Sequence, residues 1–309
     1  MEGHCLPVIS DTDRSAIHRQ HAADLIALRK FERAAQEARR ALQRHPDDAE
    51  AYRLLAWALW QQGELSRAES AARSALRLAP NGSDVHSTLA LVLGSRGQRQ
   101  EAREHHERAI ALAPTVAASH TRYARFLLST DRWAAALRQA DEALGHDPGS
   151  AGAHLVRAHA LRAQGHLSPA EAAARQALAL EPNLAAAHRA LGRIHLARDE
   201  GDAAFASFRE ALRLDPGDAV LKRELVRAVE ARLPFVGVMW RYGQTSLSHR
   251  LFWTAITLLS FLTCCLTGWT NPGLALLFGL FYLFDLAWGF FVWVVDPLVT
   301  HAVLEGWIK

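Results

Sequence analysis

Sixteen histidines are the residues best suited to chemistry in this 309-residue chain, because a neutral imidazole binds metals and moves protons near neutral pH. Their spacing argues against both roles. His18, His86, His120, His154 and His188 fall on one 34-residue grid. In successive helix pairs such positions stand about 10 Å apart, whereas zinc holds its ligand nitrogens about 2.0 Å from a common centre. His105 and His106 are adjacent and leave a helix on different sides. His18 and His21, at i and i+3, are the best pair, but no third ligand lies near them in sequence. Metal binding is therefore not expected. The grid histidines should instead pack between helices with one ring nitrogen hydrogen-bonded. Cys5, Cys264 and Cys265 make neither a disulfide framework nor a metal-ligand spacing. No nucleophile elbow, phosphate loop, dinucleotide fingerprint or zinc-protease motif is present. The chain reads as a non-enzyme that needs no cofactor.

The elements that carry this grid announce themselves through proline. Pro46, Pro80, Pro114, Pro148, Pro182 and Pro216 stand 34 residues apart without a slip, and 34 is the period of a helix–turn–helix repeat. With proline as position 32, six units run 15–48, 49–82, 83–116, 117–150, 151–184 and 185–218. Position 20 is Ala34, Ala68, Ala102, Ala136, Ala170 and Ala204; position 27 is Ala41, Ala75, Ala109, Ala143, Ala177 and Ala211. Position 8 is Ala22, Ala56, Ala90, Ala124, Ala158 and Gly192, and position 28 is always Leu or Ile. Small residues at helical spacing let backbones approach closely while the larger neighbour fills the seam. Gly63, Gly97, Asp131, Gly165 and Asp199 at position 15 mark the place where a helix stops and turns. Arg29 stands there in the first unit, which makes its first helix the least regular.

This pattern resembles the tetratricopeptide repeat over about two-thirds of the chain. The resemblance implies an all-α fold: a right-handed α-solenoid of six 34-residue helix–turn–helix repeats plus a capping helix at 219–232. That helix carries Leu221, Leu225, Val226 and Val229 as its apolar stripe. The sequence departs from the family at position 4, which is His or Tyr52 rather than Trp, and at position 24, which is His106 and Phe208 in two units. In the family, positions 2, 5, 9, 12 and 13 of the first helix face the concave side and contact peptides. Carried onto this chain, the groove residues are Arg19, Arg53, Trp57, Trp60, Gln61, Arg125, His159, Arg162, Arg189 and Arg193. Trp and Arg are enriched in binding hot spots, so such a face suits an acidic or C-terminal segment with an aromatic or aliphatic anchor. The plainer alternative is that the tryptophans only pad the seams and the arginines are solvated. The family's chaperone-tail clamp pairs Lys at position 5 with Asn at position 9. Those positions in the second unit are Arg53 and Trp57, so that ligand is disfavoured.

Composition divides the chain sharply. Residues 233–309 hold six of the nine tryptophans but only three acids and three bases, which leaves 32 bases against 29 acids in residues 1–232. That balance is too even for a dedicated nucleic-acid binder. Leu251–Trp269 contains no charge, and Gly273–Val295 is interrupted only by Asp285. At 1.5 Å per residue the first reaches about 28 Å, close to a bilayer's apolar thickness. The expected layout is an N-terminal tail at 1–14, repeats at 15–218, an interfacial linker at 233–250, a two-span transmembrane helical hairpin at 251–295 contacting the lipid bilayer, and an amphipathic tail at 296–309. Arg241, Arg250 and Lys309 flank the hairpin, and its Thr270–Pro272 turn has no basic residue. The positive-inside bias then places repeats and C-terminus in the cytoplasm, at the inner membrane of a bacterium, since the Ala- and Arg-rich, Lys-poor usage suggests a GC-rich genome. Asp285 is either a functional intramembrane carboxylate or a protonated bridge to Ser260, Thr263 or Tyr282.

Overall fold

The computed structural model describes residues 11–232. The predicted linker, hairpin and C-terminal tail, with Asp285, lie outside the described residues. Among those described, thirteen α-helices and no strand are formed: α1 (Asp11–Ala27), α2 (Phe31–Arg44), α3 (Ala49–Gln61), α4 (Leu65–Leu78), α5 (Ser83–Ser95), α6 (Arg99–Leu112), α7 (Ala117–Ser129), α8 (Trp133–His146), α9 (Ala151–Ala163), α10 (Leu167–Leu180), α11 (Ala185–Ala197), α12 (Gly201–Leu214) and α13 (Ala219–Arg232). Helix α1 begins ahead of Ser15, inside the stretch expected to be a tail. None of these helices is long and apolar enough to cross a membrane. Helices α1–α10 belong to one compact unit that ends at Pro182, and α11–α13 belong to a second that begins at Asn183.

Each repeat closes its inner turn identically. Position 15 takes a left-handed backbone in all six repeats, with φ from 57° at Arg29 to 82° at Gly97 and Gly165. The next residue's N–H then bonds the carbonyl of position 11: Lys30 to Leu25, Glu64 to Leu59, Gln98 to Leu93, Arg132 to Leu127, His166 to Leu161 and Glu200 to His195, at 2.8–3.0 Å. This satisfies a carbonyl that the helix end leaves without a partner. Arg29 therefore turns as glycine does elsewhere, and the first repeat is regular where the sequence suggested otherwise.

The outer turn explains the prolines. Position 31 closes the second helix with its N–H on the position-27 alanine carbonyl, as in His45 to Ala41 and Ala113 to Ala109. Proline follows, where its fixed φ suits the second residue of a turn and its missing N–H costs nothing. In this turn the grid histidines find their place. Nε2 of His86, His120 and His154 donates to the carbonyl oxygen of Pro80, Pro114 and Pro148, at 2.9, 2.8 and 3.1 Å. The other ring nitrogen meets position 23 of the same repeat: His18 with Glu37, His86 with His105 and His120 with Gln139, at 2.6–2.9 Å. Histidine thus ties three of the proline turns to the helix pair that follows, and two of these rings use both nitrogens rather than the expected one.

Packing follows the small-residue stripes. Ala34, Ala68, Ala102 and Ala136 at position 20, and Ala41, Ala75, Ala109 and Ala143 at position 27, are at most 1% exposed. In the second unit one pairing breaks the rule. Phe208 occupies position 24, where four other repeats have alanine, and it fills the space at Gly192: a Cβ there would lie 2.6–2.7 Å from three Phe208 ring carbons. Gly192→Ala is expected to destabilise the α11–α13 unit by about 1–3 kcal/mol. Adding Phe208→Ala restores the alanine pair of other repeats and makes Gly192→Ala harmless. Denaturant unfolding of the two single variants and the double variant reads this coupling, and strict additivity would contradict the packing.

Candidate functional site

In the first unit the first helices of the repeats, α1, α3, α5, α7 and α9, pack side by side, so positions 2, 5, 9, 12 and 13 share one face. Trp57 and Trp60 on α3 form its centre. Their ring centroids are 5.2 Å apart at an interplanar angle of 60°, both side chains are half-buried, and Trp60 Nε1 donates to Ser95 Oγ on α5 at 2.7 Å. The Arg122 guanidinium on α7 lies 5.5 Å from the Trp57 ring centroid, within cation–π range. Arg122 also donates to Ser87 Oγ at 3.2 Å and stands 3.6 Å from Asp84 Oδ1. One aromatic pair is therefore held by contributions from three successive repeats.

The electrostatics of this patch are mixed. Arg53 makes a two-pronged bond to Glu50 at 2.7 and 2.6 Å. Burial opposes its charge, but the hydrogen bonds and charge of Glu50, helped by Asp84, hold its pKa above the ordinary guanidinium value. Arg122 is shifted the other way by burial and by Arg53 and Arg125, against the pull of Asp84. Both remain cations at any physiological pH.

The predicted groove arginines divide into two kinds. Arg19 donates to Asp48 Oδ2 at 3.0 Å, while Asp48 Oδ1 caps α3 by accepting from the Ala51 N–H at 3.0 Å. In the second unit Arg189 makes the same bond to Asp218, at 3.2 Å, and Asp218 caps α13 through Val220 and Leu221. These two position-5 arginines staple a repeat to the N-cap of the helix after it. Arg193 donates to the buried Glu224 carboxylate on α13 at 2.6 Å. Arg125, by contrast, is exposed and forms no ion pair with any described residue. Gln61 is exposed, and His159 and Arg162 are half-buried on α9.

The structure brings Arg122, Asp84, Ser87 and Ser95 to the tryptophan pair, none of which the sequence reading nominated. Asp84, Ser87 and Ser95 occupy groove positions 2, 5 and 13 of the third repeat, so the register alone pointed to them. Arg122 is at position 6, outside that register, and only the packing of α7 delivers it. Among the described residues no three His, Cys, Asp or Glu side chains converge on a metal position. Arg193→Ala should cost about 1–3 kcal/mol of stability, because it leaves the Glu224 carboxylate buried without its cation. Arg125→Ala should change stability by less than about 0.5 kcal/mol. Thermal unfolding of both variants checks the distinction between a stapling and a free arginine.

Comparison with protein families gives a match to a model described as tetratricopeptide repeat, over residues 19–83, 87–151 and 155–219. Comparison with curated proteins finds no relative. Among solved structures the chain is similar to one in the crystal structure of the APC/C hetero-tetramer Cut9-Hcn1, with a TM-score of 0.63 and 20% identity, over 70% of this chain and 43% of that one. It therefore spans less than half the length of that protein. It is also similar to PilW, described as a widely conserved type IV pilus biogenesis factor, with a TM-score of 0.58 and 17% identity over 70% of this chain and 98% of that one. Pseudomonas aeruginosa pilF gives a TM-score of 0.55 and 19% identity, over 70% and 97%. At these identities the likeness is one of fold.

Proposed function

The chain belongs to the tetratricopeptide repeat family, and we propose that it is a membrane-anchored scaffold that docks a protein or peptide segment on the face built around Trp57 and Trp60. A repeat-type protein-interaction scaffold agrees with the family and with the all-α repeat fold. The observation that carries the docking face is the half-buried indole pair with Arg122 laid against it, assembled from three repeats. Preassembled aromatic surface of this kind costs little entropy to bind. A fitting segment offers an aromatic or aliphatic anchor to the tryptophans and a carboxylate to the exposed Arg125. The paired state of Arg19, Arg53, Arg189 and Arg193 makes a single well-placed acid a better fit than a run of them.

The anchor rests on the sequence of 251–295, where two apolar stretches flank the Thr270–Pro272 turn. Tethering raises the local concentration of a weak docking surface, so modest affinity suffices for recruitment. Asp285, set in the middle of the second stretch, favours a second reading: a non-catalytic subunit of a multi-component membrane complex for secretion, envelope assembly or transport, in which the hairpin and Asp285 make the decisive contacts. Affinity capture from solubilised membranes tests the first reading. Trp57→Ala with Trp60→Ala should lower partner recovery by about 30-fold, the loss expected of a hot spot worth 2 kcal/mol. Recovery of the same partners in the same amount overturns it. Replacing 251–295 with an unrelated span should preserve recruitment; loss on that exchange, or on Asp285→Asn, selects the second reading.

A further inference from the structure

Among the described residues, His106 is a titratable side chain that the docking face does not use and that has neither ring nitrogen satisfied in the core. It lies on α6 and is 1% exposed, and neither ring nitrogen has a hydrogen-bond partner among the described residues. Its neighbours are across the seam on α7. The ring stacks on Tyr123 at 5.4 Å and 25°, and meets Phe126 at a tilt, at 5.2 Å and 39°. The same position in the other repeats is Ala38, Ala72, Ala140, Ala174 or Phe208, none of which can take a proton.

In the seam that His106 fills, the backbones of successive helices approach least closely of any in the first unit, and the rings of His106, Tyr123 and Phe126 stand between them. The buried core cluster running from α1 ends on α6 at Ala102 and another begins on α7 at Tyr123, and Phe126 on α7 packs against both. Helix α7 also starts at Val116 without a side-chain cap. We propose that His106 makes this seam an acid-sensitive joint: the closed seam excludes the protonated ring, so acidification opens the repeat array between its third and fourth repeats.

The basic neighbours support that direction. On α6, His105 and Arg103 flank His106; on α7, Arg122 faces it. The two acids nearby are already engaged. Glu107 accepts from the Tyr123 hydroxyl at 3.0 Å and lies 3.6 Å from Arg103, and Asp84 on α5 stands 3.6 Å from Arg122. His86 on α5 is occupied with Pro80 and His105. Burial, with Arg122 and His105, pushes the His106 pKa down from 6.5 to about 3. The sign follows from which form binds the proton. Above 6.5 both the closed and open forms are neutral, and the joint is insensitive to pH. Between 6.5 and about 3 only the open form gains the proton, so opening grows about tenfold per pH unit.

Opening would also part the docking face, since Trp57 and Ser87 lie on the α1–α6 side and Arg122 on α7. That consequence rests on the docking reading; the joint does not. Hydrogen exchange of the full-length chain in detergent, corrected for the pH dependence of chemical exchange, is the test. From pH 7 to pH 5 the opening equilibrium at α6 and α7 amides should rise about 25-fold against α9 and α10, for one proton with an open-state pKa of 6.5. His106→Phe, which copies Phe208, should abolish that rise, and His106→Ala, which copies Ala140, should do the same if the phenylalanine variant folds poorly. His105→Gln, which copies the His120–Gln139 arrangement, should retain it. A flat response in the parent chain overturns the proposal, as does a rise that survives in both His106 variants or vanishes in His105→Gln.

Discussion

Links of only three or four residues must satisfy the backbone groups left over at two helix ends. The inner links do it with a left-handed residue at position 15 and a hydrogen bond from position 16 back to position 11. The outer links carry proline, and in three of them its carbonyl oxygen accepts from the histidine at position 4 of the next repeat. These two closures set the angle at which each helix leaves the last one. Alanine stripes then decide how near the helices come, and the face built from first helices is a product of both.

Where the stripe is broken the local architecture changes character. Phe208 is accommodated because Gly192 has no side chain, so the second unit exchanges an alanine pair for a phenylalanine and a glycine. His106 has no such partner within its own repeat and turns toward α7 instead, where Tyr123 stacks on it and Phe126 meets it at a tilt. A polar ring sealed without partners is a poor way to gain stability. Its effect is to make one seam depend on the neutral state of one side chain.

The docking face illustrates how ion pairs and recognition compete for the same residue type. Arginine at position 5 sits within reach of the next helix's N-cap aspartate, and Arg19 and Arg189 make that bond in separate units. An arginine so engaged orders the repeat junction rather than presenting charge to a ligand. Position 9 lies one turn further along the helix, and Arg125 there is exposed and forms no ion pair with any described residue. On the proposed docking face, that cation and the two indoles are what remain for a partner.

How much of this was legible before the structure varies by residue. The period, the alanines at positions 20 and 27 and the unit boundaries could be read directly, because helix formation and stripe packing are governed by neighbours three or four residues apart. Trp57 and Trp60 were legible as a pair for the same reason. The turn at Arg29 was not, because closure of a three-residue link imposes a left-handed backbone whatever the side chain. Arg122 was not, because its place over Trp57 spans 65 positions of chain. The bond from Arg19 to Asp48 likewise joins residues 29 positions apart, and the bond from His86 to Pro80 reaches from α5 back into the link before it. By itself, then, the sequence determined the repeat and its register, since these follow from local periodicity, and the family resemblance implied which helices line one face. Only the tertiary structure decided which arginines are bound, which is free and that His106 is sealed, since those depend on distances between helices that no local pattern encodes.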